Sequence, residues 1–296
     1  MRYAFIRQHA SECPVATACR VLSVSRSGYH AWLARPESAR AQADRDLTAM
    51  IVEAHAASRR TYGAPRLHAE LRDQGVRVGR KRVARLMRQA GLRGALHPRK
   101  RRRRGLAVVE PPEHGPDLVR RRFTAEAPGR VWCADVKQVW TREGWLYLAA
   151  VIDLHSRRIV GHACGSASTT ALVTRALASA VGRQRPGRGL VHHSDRGAAY
   201  VSGPFLASLQ AAGAVRSLSR PGSPLDNAVI ESFFSTLERE LLSGRPFATR
   251  AEARSALFDY IEVFYNRQRR HSTLDYLSPA AFEARTSTEG VSTEAG

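Results

Sequence analysis

A run of eight apolar residues, Trp145-Leu146-Tyr147-Leu148-Ala149-Ala150-Val151-Ile152, closed by Asp153, constrains the fold of this chain more than any other feature. It falls well short of the roughly 18 apolar residues that span a bilayer. In β-rich surroundings it reads as a strand buried on both faces. The segment before it, 131–140, is also β-rich and ends at the turn Arg142-Glu143-Gly144, and 157–163 reads as a third strand. Residues 168–182 are helical by composition, and Leu190-Val191-His192-His193 is a short strand that delivers Ser194-Asp195-Arg196-Gly197 to its C-terminal end. A helix over 205–212, a strand over 214–218, the loop Pro221-Gly222-Ser223-Pro224 and a strong helix over 226–242 follow. Three antiparallel strands and then alternating helix and strand define a mixed-sheet α/β domain over 126–244. A helical extension over 245–285 opens on the capping box Thr249-x-x-Glu252. It carries Phe258, Tyr260, Phe264 and Tyr265 as core aromatics, and a frayed tail covers 286–296.

The first part of the chain is all-α. Residues 1–40 hold a partial helix-turn-helix, in which Ser25 can cap the second helix, beginning at Arg26. Residues 44–96 form a second helix-turn-helix-like domain. There Pro65 favours a helix start, and a later helix sets Val83, Leu86, Met87 and Ala90 on an apolar face. On that helix Lys81, Arg85 and Arg88 fall at i, i+4 and i+7, beside Arg80 and Arg82. The alternatives are a face laid against DNA and a solvated face, and the near-absence of acids favours DNA. Residues 97–125 lose periodicity. Six consecutive basic residues, Arg99-Lys100-Arg101-Arg102-Arg103-Arg104, mark a basic linker that stays extended until it meets phosphate.

Charge supports the same division. The chain carries 47 Lys+Arg against 26 Asp+Glu, a net +21. Residues 1–125 hold 27 basic and 10 acidic residues, hence +17, whereas 126–296 hold 20 and 16, hence +4. Such an excess implies a polyanion partner, because neutralising phosphates releases condensed counterions. The N-terminus lacks an apolar signal core, and Cys13, Cys19, Cys133 and Cys164 have no CxxC spacing, so a zinc knuckle or disulfide framework is excluded and a reducing compartment is expected.

Three acids stand out by position: Asp135 mid-strand, Asp195 past a strand end, and Glu231 on the first turns of a helix. Each has an ordinary reading, as a satisfied strand acid, an Asx-turn residue and an exposed helix residue. Desolvated carboxylates are costly unless compensated. Two Mg²⁺ ions compensate by taking carboxylate oxygens while keeping positions open for phosphate and water.

The segments 131–135, 193–197 with Tyr200, and 226–234 resemble the DDE transposase and retroviral-integrase core. More closely, the chain is similar to the second-reading-frame (OrfB type) protein of frameshifted bacterial insertion sequences. Tyr265-Asn266-Arg267, Arg270-His271-Ser272-Thr273-Leu274 and Tyr276-Leu277-Ser278-Pro279 carry its C-terminal signature, and 25–33 and 62–92 its helix-turn-helix parts. The resemblance covers nearly the whole chain. It implies a ribonuclease-H-like fold with Asp135, Asp195 and Glu231 as the catalytic, metal-binding triad for two Mg²⁺ ions, Mn²⁺ substituting. The implied activity is a polynucleotidyl transfer that cleaves element ends and joins them to target DNA. Double-stranded DNA, as terminal inverted repeats and target, is the implied partner, together with a homo-oligomer of two or more copies and an upstream-frame protein fused by frameshifting. The implied location is the bacterial cytoplasm, at the nucleoid, with no membrane. Lys137 and Asp275 depart from the family pattern; Lys137 is placed to touch phosphate or pair with a triad acid. Asn227, Arg270 and His271 are candidate DNA contacts, with capping or bracing as the other role, and His193 is a candidate phosphate contact or a structural hydrogen-bonder. A catalytically inactive DNA-binding regulator or decayed transposase that only binds element ends, and a purely hydrolytic nuclease, are the competing functions.

Overall fold

A computed structural model describes residues 1–95, 115–220, 224–244 and 246–293. The chain divides into two compact units, Met1–Glu53 and Ala54–Gly296. The first holds α1 (Arg2–Gln8), α2 (Val15–Val21) and α3 (Arg26–Ala34), and the division falls within α4 (Ala39–Ala57). Ser25 caps α3, its hydroxyl accepting from the Gly28 N–H at 3.0 Å, as the sequence leads one to expect. Ile6, Cys19 and Tyr29 form a small core beneath the helices. The sequence reading has no α1, because that helix buries Ile6 alone and shows no apolar stripe.

The second unit opens with α5 (Ala64–Asp73) and α6 (Arg80–Gln89). Pro65 lies in the first turn of α5, and Gly75 ends it at φ +82°, a backbone state that side chains disfavour. Val83, Leu86 and Met87 are buried on one face of α6, as the periodicity predicts, whereas Ala90, expected on that face, caps the helix end and is exposed. The polybasic run 99–104 lies outside the described residues, which resume at Gly115.

Among the described residues five strands form one sheet in the order β3-β2-β1-β4-β5, with β1 (Val131–Thr141), β2 (Gly144–Asp153), β3 (Ile159–Gly165), β4 (Val191–Ser194) and β5 (Val215–Leu218). β1, β2 and β3 pair antiparallel, and β4 and β5 run parallel to β1. This is the ribonuclease-H-like mixed sheet. The apolar run lies in β2, whose Leu146, Leu148 and Ala149 to Ile152 are buried on both faces. Asp153 closes the strand because Gly129, His155 and Ser156 donate backbone N–H groups to its buried carboxylate.

On one face α7 (Thr170–Gln184), α8 (Ala198–Val201) and α9 (Gly203–Ala211) cover Trp132, Ala134, Ala149 and Val151. Gly161 lets α7 approach β3, since a Cβ there would strike the Ala176 carbonyl and the Ala180 backbone nitrogen. α10 (Ala228–Leu237) packs on β1 and β2, and α11 (Arg250–Phe258) on the same two strands. The single helix expected over 226–242 has three parts: a 3-10 turn Pro224–Asn227, then α10, then a wider π turn Glu238–Leu242. α11 likewise continues into a π turn, Asp259–Tyr265. Between the π turns, Arg269 grips Glu240 through two 2.8 Å hydrogen bonds, and the Tyr260 hydroxyl donates to Glu240 at 2.8 Å. Both ionic side chains are only 3% exposed.

The capping box forms with its return bond shifted one residue: Thr249 Oγ1 accepts from Glu252 N–H at 3.0 Å, and Glu252 accepts from Ala248 N–H at 2.6 Å. Of the expected core aromatics Tyr260, Phe264 and Tyr265 are buried, but Phe258 is 53% exposed on the outer side of its helix. Asn266 clamps the edge strand β3 by donating to the Ile159 carbonyl and accepting from its N–H. In place of a frayed tail from 286, α12 (Pro279–Thr293) continues the chain. Glu283 anchors it, accepting from Arg158 and from the Ser156 hydroxyl at 2.6 Å each. No helix among the described residues is long and apolar enough to cross a membrane.

Removing one member of a buried ion pair leaves the other charge uncompensated, at a cost of about 3–5 kcal/mol. Glu240→Ala or Arg269→Ala should each lower stability by that order in urea unfolding. The double substitution Glu240→Met with Arg269→Met should recover most of the loss.

Candidate active site

The sheet register brings two of the three acids together. Cys133 on β1 lies opposite His193 on the parallel strand β4. Two residues further, Asp135 continues β1 while Asp195 lies just past the end of β4, on neighbouring strands that lie about 4.8 Å apart in a sheet. Alternation turns Ala134 into the α7-side core and Asp135 to the opposite face. Glu231 enters from the first turn of α10 and is half-buried. The start of that helix is tied to the strand, because the Asn227 side-chain amide donates to the Ala134 carbonyl at 3.0 Å.

Electrostatics register the convergence. Burial pushes the Asp135 carboxyl up to about 7; the Val136 N–H opposes this at 2.7 Å, the Asp195 and Glu231 charges add to it, and Lys137 opposes it. Tyr200, on α8, is raised by burial first and then by the Asp135 and Asp195 charges. The Asx turn weighed for Asp195 does form, with Oδ1 accepting from Gly197 N–H at 3.0 Å, and leaves the residue exposed.

A second layer holds the helix. Asp226 is fully buried, and its carboxylate accepts from Arg121 Nε at 2.6 Å, Arg220 Nε at 2.8 Å and Arg220 Nη2 at 2.9 Å. Arg121 is 105 residues away in the chain, so no local pattern reveals the clamp. Lys137 pairs with Glu238 at 2.8 Å rather than with a triad acid. His193 takes the structural option: one ring nitrogen meets Ser217 Oγ at 2.8 Å, the other Ser219 Oγ at 3.1 Å, which joins β4 to β5. His192 sits in the core against Tyr200 and Phe205, and burial pushes it down to about 4, so it is neutral.

Three candidate DNA contacts make intramolecular contacts, in line with the bracing role. Asn227 is buried and spends its amide on β1. Arg270 donates to Glu70 at 2.7 Å and Asp73 at 2.6 Å, while Tyr62 and Arg66 bond its backbone, so it seats α5 on the C-terminal extension. His271 stacks edge-on against Tyr265 at 4.9 Å, and burial holds it neutral. An arginine already engaged by two carboxylates and a half-buried imidazole pushed toward its neutral form are poor phosphate ligands. Arg26, Arg80, Lys81 and Arg88 are exposed on α3 and α6, whereas Arg82 and Arg85 are half-buried and Arg85 reaches Gln89 at 3.2 Å. Lys100, Arg101, Arg102, Arg103 and Arg104 lie outside the described residues.

The donor chemistry fits hard divalent cations. The Asp195 and Glu231 charges raise Asp135, and a cation would relieve a carboxyl held at about 7. Among the described residues no three His, Cys, Asp or Glu side chains already stand within gripping distance of one ion.

Residues 125–224 and 213–279 match the integrase core domain family, and 41–102 match the HTH-like domain family. The chain is 43% identical over 270 residues to the insertion element IS600 uncharacterized 31 kDa protein of Shigella sonnei, covering 90% of this chain and 97% of that one. It is 39% identical over 289 residues to transposase InsF for insertion sequence IS3A of Escherichia coli strain K12, covering 96% and 98%. Among solved structures, the HTLV-2 integrase catalytic core domain in complex with magnesium aligns with TM-score 0.40 and 16% identity, over 53% of this chain and 98% of that one.

The Asp135 carboxyl predicts a pH effect in cation-free protein. Its folded value, about 7, exceeds the unfolded 3.8, so its contribution to stability is complete below about 4 and is lost as pH rises through 7. Buried His192 acts in the opposite sense over part of that range. The difference in melting temperature between wild type and Asp135→Asn should therefore shift with pH, the wild type losing ground between pH 4 and 7.

Proposed function

The chain belongs to the insertion-sequence transposase family and is a polynucleotidyl transferase, and on that footing we propose that Asp135, Asp195 and Glu231 are its catalytic and metal-binding residues. The observation that carries this reading is the β1–β4 register, which sets Asp135 and Asp195 side by side, with α10 tethered at Ala134 to present Glu231. Two divalent ions per site, Mg²⁺ with Mn²⁺ able to substitute, supply when bound the positive charge that activates an attacking oxygen and stabilises a leaving one. Asp135, Asp195 and Glu231 would hold them, while Asn227 and the Asp226 clamp keep α10 against β1.

At the element's end, water attacks the scissile phosphorus and the strand's 3′ oxygen leaves as a hydroxyl. That hydroxyl then attacks a target phosphodiester and displaces the target's 3′ oxygen, so each step exchanges one P–O bond for another. Terminal repeats are gripped by the basic faces of α3 and α6, through Arg26, Arg80, Lys81, Arg82, Arg85 and Arg88, and by the polybasic run 100–104. Two ends must meet, which calls for an assembly of at least two copies, with an upstream-frame protein fused by frameshifting, in the bacterial cytoplasm.

The test is a strand-transfer assay on the element's own ends with Mg²⁺. Asp135→Asn, Asp195→Asn and Glu231→Gln should each lower cleavage and joining about a thousandfold or more, since the charge stabilisation at stake is several kcal/mol. End binding in a gel-shift assay should persist, and retained joining in any variant removes that residue from the site. Arg85→Glu with Arg88→Glu should weaken end binding and flatten its salt dependence by roughly one unit of slope per lost phosphate contact. An unchanged slope returns that face to solvent.

A further inference from the structure

One polar seam joins α5 to the C-terminal extension, and Arg270 is its centre. Arg270 Nε donates to Glu70 at 2.7 Å and its Nη1 to Asp73 at 2.6 Å, both on α5. The hydroxyl of Tyr62, just before that helix, accepts from the Arg270 N–H at 2.7 Å and donates to the Gln268 carbonyl. Arg66 Nε donates to the Arg270 carbonyl at 2.9 Å. The Arg270 side chain is 13% exposed, so water competes weakly for these bonds. α6 packs on α5, and the chain leaving α6 returns to the same place. There a Cβ at Gly94 would strike the Gly63 nitrogen, and the Ala95 N–H donates to the Thr61 carbonyl at 2.9 Å. The seam also reaches the helix that carries the third acid. Arg269, next to Arg270, grips Glu240, and Arg66 Nη1 lies 4.0 Å from the same carboxylate. Glu240 stands nine residues beyond Glu231 on α10 and its π continuation, roughly two and a half turns of helix. One run of packed helices and polar bonds therefore connects the basic face of α6 to Glu231.

We propose that this seam is a ruler: by fixing α6 against α10, Arg270 with Glu70 and Asp73 sets how far from the gripped repeat the DNA strand is cut. The proposal rests on the function above, in which the α6 face grips the element end and the three acids cut it. Successive phosphates of one strand are spaced about 3.4 Å along the duplex axis, so play of that size between grip and acids brings a neighbouring bond to the cutting site. Connectivity alone gives no such precision, because the chain from 90 to 130, between α6 and β1, reaches on the order of 100 Å when fully extended. The seam does. Glu70 and Asp73 lie three apart on one helix face, and a planar guanidinium shared between them fixes direction as well as distance. Arg270, Glu70 and Asp73 are thus positioning residues, acting on the reaction through α5 and α10.

The test uses the full chain and duplex element ends with base pairs inserted one at a time between the protected repeat and the natural cut, and maps each cut at single-nucleotide resolution. Wild-type protein should cut at a constant distance from the repeat, so the cut moves one bond off the natural junction for each insertion. Arg270→Glu should bind ends within about twofold of wild type, yet cut the natural bond about tenfold less and spread cleavage over adjacent bonds. Glu70→Arg with Asp73→Arg should spread it likewise, and combining all three substitutions, which restores opposite charges across the seam, should return a single cut. Glu70→Gln with Asp73→Asn leaves Arg270 in place and reads the seam should Arg270→Glu unfold, which a melting curve detects. A cut that stays at the natural junction despite insertions overturns the proposal, because terminal sequence then sets the position. So does a uniform loss of cleavage without spreading, the mark of a merely structural role. Lost end binding in Arg270→Glu with the Gln/Asn variant unaffected also overturns it, since Arg270 then touches phosphate. Arg80→Ala, Lys81→Ala and Arg88→Ala together binding ends like wild type overturns the α6 grip and the ruler with it, whereas a single cut in folded seam variants overturns the ruler alone.

Discussion

The parallel pairing of β4 with β1 is three residues long, and the site is organised around it. Neighbouring strands in register place residues of equal offset side by side, so Cys133 opposite His193 sets where Asp135 and Asp195 emerge. Nothing in the acids themselves favours that arrangement: the Asp135 carboxyl is pushed up to about 7, first by burial and then by its acidic neighbours. The strand pairing must therefore be held from elsewhere. His193, bonded on both ring nitrogens to Ser217 and Ser219, ties β4 to β5 directly behind Asp195.

The third acid depends on helix placement rather than on the sheet. Three contacts fix α10 and its continuation: Asn227 to the Ala134 carbonyl, Asp226 to Arg121 and Arg220, and Glu240 to Arg269. Each puts a polar group with little or no access to water into a bond with a partner distant in the chain or across a loop. Such bonds contribute modestly when made but are expensive to leave unmade, so they specify position more than they add stability. Glu238 leaves the same segment on the other side, where it neutralises Lys137. That pairing makes the family departure at 137 compatible with the acidic cluster, since its charge is answered by Glu238 and not by a triad carboxylate.

The C-terminal extension joins the catalytic core to the helices before it. Arg270 meets Glu70 and Asp73, and Tyr62 bonds the chain at Gln268 and Arg270. A signature motif that looks like a nucleic-acid contact in one dimension is here an intramolecular seat for α5. Among the described residues, the exposed basic residues Arg80, Lys81 and Arg88 of α6 and Arg26 of α3 make no such intramolecular seat.

Whatever depends on neighbours a few residues apart is legible in the linear chain. The five strands, the Ser25 and Thr249 caps, the apolar stripe of α6 and the burial of β2 follow from periodicity and capping chemistry, and appear where those patterns place them. The three acids were visible as anomalies of position, and the resemblance to a known family gave them a common purpose. Whatever depends on long-range partners is fixed by how the segments fold together. The fate of Arg270 and His271, the split of one expected helix by a π turn, the Asp226 clamp and the pairing of Lys137 turn on residues up to about two hundred positions apart. The same arginine can meet phosphate or carboxylate, and an isolated Trp140 or Trp145 can be core or surface. Chemistry alone does not separate these outcomes, because burial and charge pairing are set by which segments fold against one another.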